Sequence, residues 1–299
     1  GSASTSIVSG ASLESTTTDV NILAYSSNDL YATGDGNAFA ALGFGNAEGH
    51  GVIDTTSVVR LGSNVQITSK NDLNVRALSR DDGSSEGDAG DRGLIPFSAG
   101  TATMDVTNAT DVSIGNGGSL NAQNKLNVES VANHRTKSRA RSDVSPFGFS
   151  LGSNIKTESF TDAVTEVNVD IGAAQITGNE ILVRTRFNGL DVQADSDSIA
   201  PGQFGGDNDA ESRINSTTTT DIDLLGTVLT GITSVNVVSD HTNVISKSDA
   251  RAKANAVGGN TDVIAENATT IRSDVTAPDS KIITTPSLPV RSATPTNQT

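Results

Sequence analysis

The chain has 299 residues, a formal net charge of −15 and no cysteine, and only 34% of it is hydrophobic. The missing thiols exclude a disulfide framework and a thiolate metal site. The acidity argues against nucleic acid or an anionic membrane as partner, since either calls for a basic patch. Ten aromatics, none of them Trp, leave a core to be built from Val, Ile, Leu, Ala and Thr. Such a thin interior suits an elongated stack of sheets better than a globule. No apolar run approaches the 18 residues of a membrane-spanning helix, so no membrane insertion is expected.

Along the chain one alternating segment returns six times: TDVNILAYS (18–26), NDLNVRALS (71–79), NKLNVESVA (124–132), NEILVRTRF (179–187), TSVNVVSDH (233–241) and PSLPVRSAT (286–294). Its anchors Val20, Leu73, Leu126, Ile181, Val235 and Leu288 stand 53, 53, 55, 54 and 53 residues apart. A second element, Thr-x-Val/Ile running to an aliphatic-Gly pair, keeps step with the first. It reads TSVVRLG (56–62), TDVSIG (110–115), TEVNVDIG (165–172) and TDIDLLG (220–226), with IVSG ending at Gly10 as an earlier copy and Pro278 standing where a later Gly belongs. Stacked on that period, Thr56, Thr110, Thr165, Thr220 and Thr269 are expected to form one ladder.

Between the anchors lie Gly-, Asp- and Ser-rich stretches at 34–51, 81–100, 141–154, 200–212 and 253–262, which read as loops or bends. After each, strict alternation resumes, as in Ala102, Met104, Val106, Asn108, Thr110, Val112 and Ile114. A period of two over that length means strand. No segment shows helical spacing, so the chain is expected to be all-β. One repeat cannot bury its own apolar side, whereas stacked repeats can. The expected fold is a β-solenoid, parallel β-helix-like and right-handed by the crossover rule. It would hold five to six repeats, each forming one broad, flattened coil. Residues 1–280 form the single repeat domain. Residues 281–299 are a degenerate last copy and flexible tail, where Pro289 removes a ladder donor. Neither end shows a polar cap, as expected of a piece cut from a longer array.

The cadence of TDVSIGNGGSLNAQNKLNVES (110–130), with its Ala/Gly-rich bends and Thr-rich strands, resembles the repeat regions of giant bacterial surface proteins, the haemagglutinin-like β-solenoid adhesins. The resemblance covers nearly the whole chain. It implies an exported, extracellular or cell-surface stalk or adhesive passenger. The partners it implies are neighbouring repeats, like subunits stacked end to end, or host and matrix ligands. The Arg-Gly-Asp triplet of many adhesive surfaces is absent, and GDRG (90–93) only scrambles it.

Candidate chemistry is sparse. Asp81, Asp82 and Asp88, and separately Asp207 and Asp209, sit in Gly-rich surroundings and are weak Ca²⁺ candidates by their oxygen ligands. Neither the EF-hand nor the calcium nonapeptide spacing is present, and solvated loops are the plainer reading. His50, His134 and His241 fall at different places in the repeat and read as isolated surface histidines. HRTKSRARS (134–142) is the one basic stretch, read as a solvated bend or else a contact for an acidic neighbour. No catalytic or cofactor-binding residue stands out, and the chain reads as non-enzymatic. The alternatives are a polysaccharide-active parallel β-helix enzyme, which would need paired carboxylates and an aromatic platform, and a self-assembling fibre subunit.

Overall fold

A computed structural model of the protein describes residues 1–39, 42–92, 95–144, 154–200, 205–254 and 258–284. Anchor Leu288 and Pro289 lie outside the described residues. All regular structure among them is strand, arranged coil by coil. The first coil holds β1 (Ser2–Ile7), β2 (Ser12–Ser15) and β3 (Val20–Phe39). The second holds β4 (Leu42–Leu61), β5 (Gln66–Ser69) and β6 (Leu73–Arg92), and the third β7 (Ile95–Ile114), β8 (Ser119–Ala122) and β9 (Lys125–Val144). The fourth has β10 (Asn154–Ile171) and β11 (Gln175–Ala200), in which the short and long strands run together. The fifth has β12 (Asp207–Leu224), β13 (Val228–Thr242) and β14 (Ile245–Ala254), and β15 (Asn260–Thr276) with β16 (Lys281–Thr284) begin a sixth.

These strands make two parallel sheets. One, here the front sheet, runs in the order β1-β4-β7-β10-β12-β15; the rest form the back sheet. The expected anchor ladder is present, with Val20 beside Leu73, Leu73 beside Leu126, Leu126 beside Ile181 and Ile181 beside Val235. The chain is therefore a parallel β-solenoid with one wide, flat coil per repeat. Each step along its axis is about 4.8 Å, and a 20-residue strand spans about 65 Å across it.

The interior changes character across that width. Next to the short strands lies an aliphatic core in which Val59, Ile67, Leu73, Val75, Val112, Leu126, Val128, Val169 and Ile181 are fully or almost fully buried. Farther out comes a second apolar group around Met104, Phe187 and Val192. Beyond it the lining is mostly Ser, Ala and Gly, with Asp91, Ile155, Thr157 and Asn208 also buried.

This taper overturns the reading of the Gly- and Asp-rich stretches as bends. Residues 34–39, 42–51, 81–92 and 95–100 are strand. Their small inward residues let the two sheets approach until backbone meets backbone. A Cβ on Gly34 would strike the Glu48 carbonyl, and one on Gly87 the Thr101 carbonyl. Glycine inside these strands marks close approach, not a turn.

The threonine ladder also differs from expectation. Thr56 lies beside Ala109, Thr110 beside Val167, and Thr165 beside both Asn108 and Thr218. Register is set at the far end of the strand, where Leu61, Ile114, Ile171 and Leu224 stack. Counting back from those residues shifts the threonines, because Thr110 stands four residues before its aliphatic and Thr165 six.

Past that end the chain turns through a left-handed residue at Gly10 (φ 75°), Asn64 (58°), Gly117 (73°), Gly226 (67°) and Asp279 (56°). Only Gly, Asn and Asp tolerate this conformation readily. Just before it, Gly115 N–H donates to Leu61 O at 2.8 Å, Gly172 N–H to Ile114 O at 2.9 Å and Leu225 N–H to Ile171 O at 2.8 Å. Pro278 takes the next place and has no N–H to give. The Ser280 hydroxyl substitutes, donating to the Leu224 carbonyl at 2.8 Å.

Because Gly87 abuts backbone, Gly87→Val should destabilise the protein by about 1–3 kcal/mol through overpacking. Ser84→Val, three residues away and facing outward, should leave urea denaturation nearly unchanged. Equal effects of the two would contradict the narrow wedge.

Candidate functional surface

Alternation along β6 sends Asp81 inward and Asp82 outward. Asp81 is 1% exposed. Its Oδ1 accepts hydrogen bonds from Thr55 Oγ1 at 2.6 Å and Asn28 Nδ2 at 3.1 Å, and its Oδ2 accepts one from Asn108 Nδ2. His134 lies beside it on the next coil, also fully buried. The His134 Nε2 pairs with Thr136 Oγ1 at 2.9 Å, and its Nδ1 has no partner. Burial drives the imidazole pKa down from 6.5 to about 4, against the pull of the Asp81 carboxylate. Ser79, Asn108 and Thr110 extend this belt by mutual hydrogen bonds. Asp81 is thus no solvated loop residue and His134 no surface histidine. Both expectations failed because the stretch holding them was taken for a bend, where alternation has no meaning.

The remaining calcium candidates do not converge. Asp82 and Asp88 face outward on β6, while Asp207 and Asp209 belong to β12 in the front sheet. Among the described residues no group of three or more His, Cys, Asp or Glu is placed to hold a metal ion. Burial and the neighbouring Asp207 and Asp262 raise the pKa of Asp209.

The basic stretch HRTKSRARS is likewise strand, within β9. Arg135, Lys137, Arg139 and Arg141 point outward, and acidic strands flank them in register. Arg135 sits between Asp82 and Asp191, Arg139 between Glu86 and Asp195, and Arg141 between Asp88 and Asp197. Arg135 reaches Asp191 at 3.6 Å, Lys137 reaches Asp195 at 3.3 Å and Arg139 reaches Glu86 at 3.6 Å. Glu129 is clamped by Arg76 at 2.9 Å and Arg184 at 3.6 Å, one from each adjoining coil. The cations are engaged by their own neighbours. Singly such exposed pairs contribute little, but together they favour an acidic strand on each side of the basic β9.

An acidic ladder that sequence reading passed over lies on the outer face of the front sheet. Asp111, Asn168, Asp221 and Asp274 form one row, and Asp170 and Asp223 stand in another. Burial first, then repulsion from Asp170, raises the Asp111 pKa to about 6 against the opposing pull of Arg60. Asp170 and Asp221 are raised for similar reasons. The signal was present in TDVSIG, TEVNVDIG and TDIDLLG, whose aspartates alternate with the aliphatics that drew attention.

The three histidines build no catalytic group together. His50 is an exposed partner of Asp105 at 3.1 Å. His241 Nδ1 meets Ser273 Oγ at 2.7 Å, and its ring lies 6.1 Å from that of Phe187. Phe44 and Phe97 stack with centroids 5.0 Å apart and planes 8° from parallel. Their faces are turned toward each other, so they offer no flat platform. Among the described residues one surface groove of about 560 Å³ is lined by Asp35, Asn37, Asp88, Arg92 and Arg141.

No family model, curated protein or solved structure matches the chain. Function therefore rests on the geometry alone.

Two pH effects of opposite sign follow. The unfolded chain protonates His134 near 6.5 while the folded chain resists to about 4, so stability should fall as pH drops through that window. His134→Gln should remove this part of the slope in urea titrations. Asp111, raised from 3.8 to about 6, favours the fold only when protonated. Asp111→Asn should therefore raise the denaturation midpoint at neutral pH, with the gain vanishing below 3.8. A loss at neutral pH would show that the carboxylate is stabilising.

Proposed function

We propose that the chain is a rigid, non-catalytic stalk segment of a large bacterial cell-surface or secreted protein. The observation that carries this reading is the stacking of five coils, anchor upon anchor, with hydrogen bonds directed along the axis. Such a stack transmits position along its length without a hinge. Its outward faces carry interleaved charge, as expected of a solvated shaft, and the acidic excess keeps a long array soluble. The groups with chemical potential, Asp81 and His134, are sealed inside and serve packing. An extracellular setting and adhesive contacts through the variable outer rim belong to the same proposal, as the adhesin resemblance implies.

Pulling the chain from its two ends along the axis tests the mechanical part. Coils should detach one at a time, and each loss of roughly 54 residues should release about 19 nm of contour length. A single rip of the whole chain, or increments unrelated to the repeat, would contradict the stacked-coil stalk.

A further inference from the structure

The sequence holds two Asn-Gly pairs, Asn116-Gly117 and Asn188-Gly189. Asparagine is among the thermolabile residues, and a following glycine makes it more so. With no side chain in the way, the glycine nitrogen can close a ring on the preceding amide. In a folded chain the outcome depends on what holds that nitrogen and what holds the amide. The two pairs are held differently.

Asn116 stands in the turn between β7 and β8. Its Oδ1 accepts a hydrogen bond from Ala173 N–H at 3.0 Å. Gly117 N–H donates to the Ala173 carbonyl at 2.7 Å, and the Asn116 carbonyl accepts from Asn64 N–H at 2.8 Å. The nitrogen that would attack is thus engaged, and the amide is tied to the next coil. Ring closure here would first have to break these bonds.

Asn188 and Gly189 instead form a bulge in β11. Phe187 pairs with Ala132 and Leu190 with His134, so two residues stand opposite Asn133 alone. On the other side Asn188 pairs with Thr242, and pairing resumes only at Asp191 with Ile245. Gly189 has a place in neither register, and its φ of 82° is one that glycine adopts readily. The fifth coil departs from regular strand at the same level, through left-handed Asn243 (φ 56°).

The Asn188 amide is also polarised. Its Oδ1 accepts hydrogen bonds from Thr242 Oγ1 at 2.8 Å and, more weakly, from Asn243 Nδ2 at 3.4 Å. Donors on that oxygen draw electrons from Cγ. They also face the place where negative charge develops when a nucleophile adds.

We propose that Asn188 is a site of spontaneous deamidation promoted by Thr242, and that Asn116 is protected. The Gly189 backbone nitrogen bonds to Asn188 Cγ, and the charge gathers on Oδ1. The Cγ–Nδ2 bond then breaks, and Nδ2 leaves as ammonia with the proton given up by Gly189. Water opens the resulting succinimide. Attack at Cγ gives aspartate, and attack at the main-chain carbonyl gives isoaspartate. The balance is one water in and one ammonia out, with no other reactant. Isoaspartate lengthens the main chain just where β11 passes from β13 to β14 as partner. The modification therefore loosens the fifth coil from the fourth. It does not rest on the stalk reading.

Peptide mapping by mass spectrometry, with aspartate and isoaspartate resolved, tests this on the full chain during incubation in mildly alkaline buffer. In the folded protein Asn188 should convert about tenfold or more faster than Asn116, whereas in urea the two should convert at similar rates. Thr242→Val should slow Asn188 by about tenfold, and Thr242→Ser, which keeps the hydroxyl, should restore it. The Asn116 rate and the urea midpoint serve as controls that each variant is folded. Equal rates at the two sites in the folded chain, or a faster Asn116, would overturn the proposal. So would an Asn188 that stays intact while the unfolded chain converts, or one indifferent to Thr242→Val.

Discussion

The structure depends on one constraint: each residue lies beside its own equivalent on the neighbouring coil, at the separation of hydrogen-bonded parallel strands. Backbone pairing of this kind tolerates no drift, because a slip of one residue exchanges the inner and outer faces of a strand. The aliphatic rows enforce it from within. Val59, Val112, Val169 and Ile222 form such a row, each at 0% exposure. Where a coil has one residue fewer or more, the difference is absorbed in the turns and in irregularities within a strand, as in the fourth coil, whose turn has no left-handed residue and whose β11 shifts register between Gly178 and Glu180 against β13 and between Phe187 and Leu190 against β9. The substitution of Ser280 for a missing proline donor shows how strictly the carbonyls beside these turns are satisfied.

Charge selects the order of strands from outside. In a coil this wide, the apolar rows near the short strands cannot by themselves fix strand positions some tens of ångströms away. The outer half of the back sheet has little hydrophobic grip, since its inward residues are mostly Gly, Ala and Ser. There the alternation of β6, β9, β11 and β14 between acid and base selects which strand sits beside which. The interior polar belt acts between these regions. Asp81 requires Thr55, Asn28 and Asn108 together, from three strands of both sheets, and so ties front to back where aliphatics are scarce.

Much of this was legible in the sequence. The period, the anchor row and the all-β parallel stack followed from spacing alone, because Leu73 and Leu126 repeat both residue type and surroundings. What stayed hidden did so for identifiable physical reasons. Gly87 and Asp81 were assigned to bends because glycine and aspartate usually mark turns, whereas here smallness serves the close approach of two sheets. Propensity gave way to tertiary packing. The threonine ladder was aligned on the wrong end of its motif, since nothing in Thr110 or Thr165 says which residue of the strand is held fixed. The basic stretch gained its meaning only from strands about fifty residues away on either side, which sequence neighbours cannot show. The acidic ladder of the front sheet was visible as individual aspartates and became a ladder only once the rows were known.

The breadth of the coil carries a mechanical consequence of its own. A strand of about 65 Å set against a sheet-to-sheet distance near 10 Å gives a cross-section shaped like a ruler. The resistance of a beam to flexing grows with the cube of its depth in the plane of bending. Such a ribbon would curl readily over its flat faces and scarcely at all edgewise. A long filament of this section would conform to a curved surface while keeping its rim pointed in a constant direction.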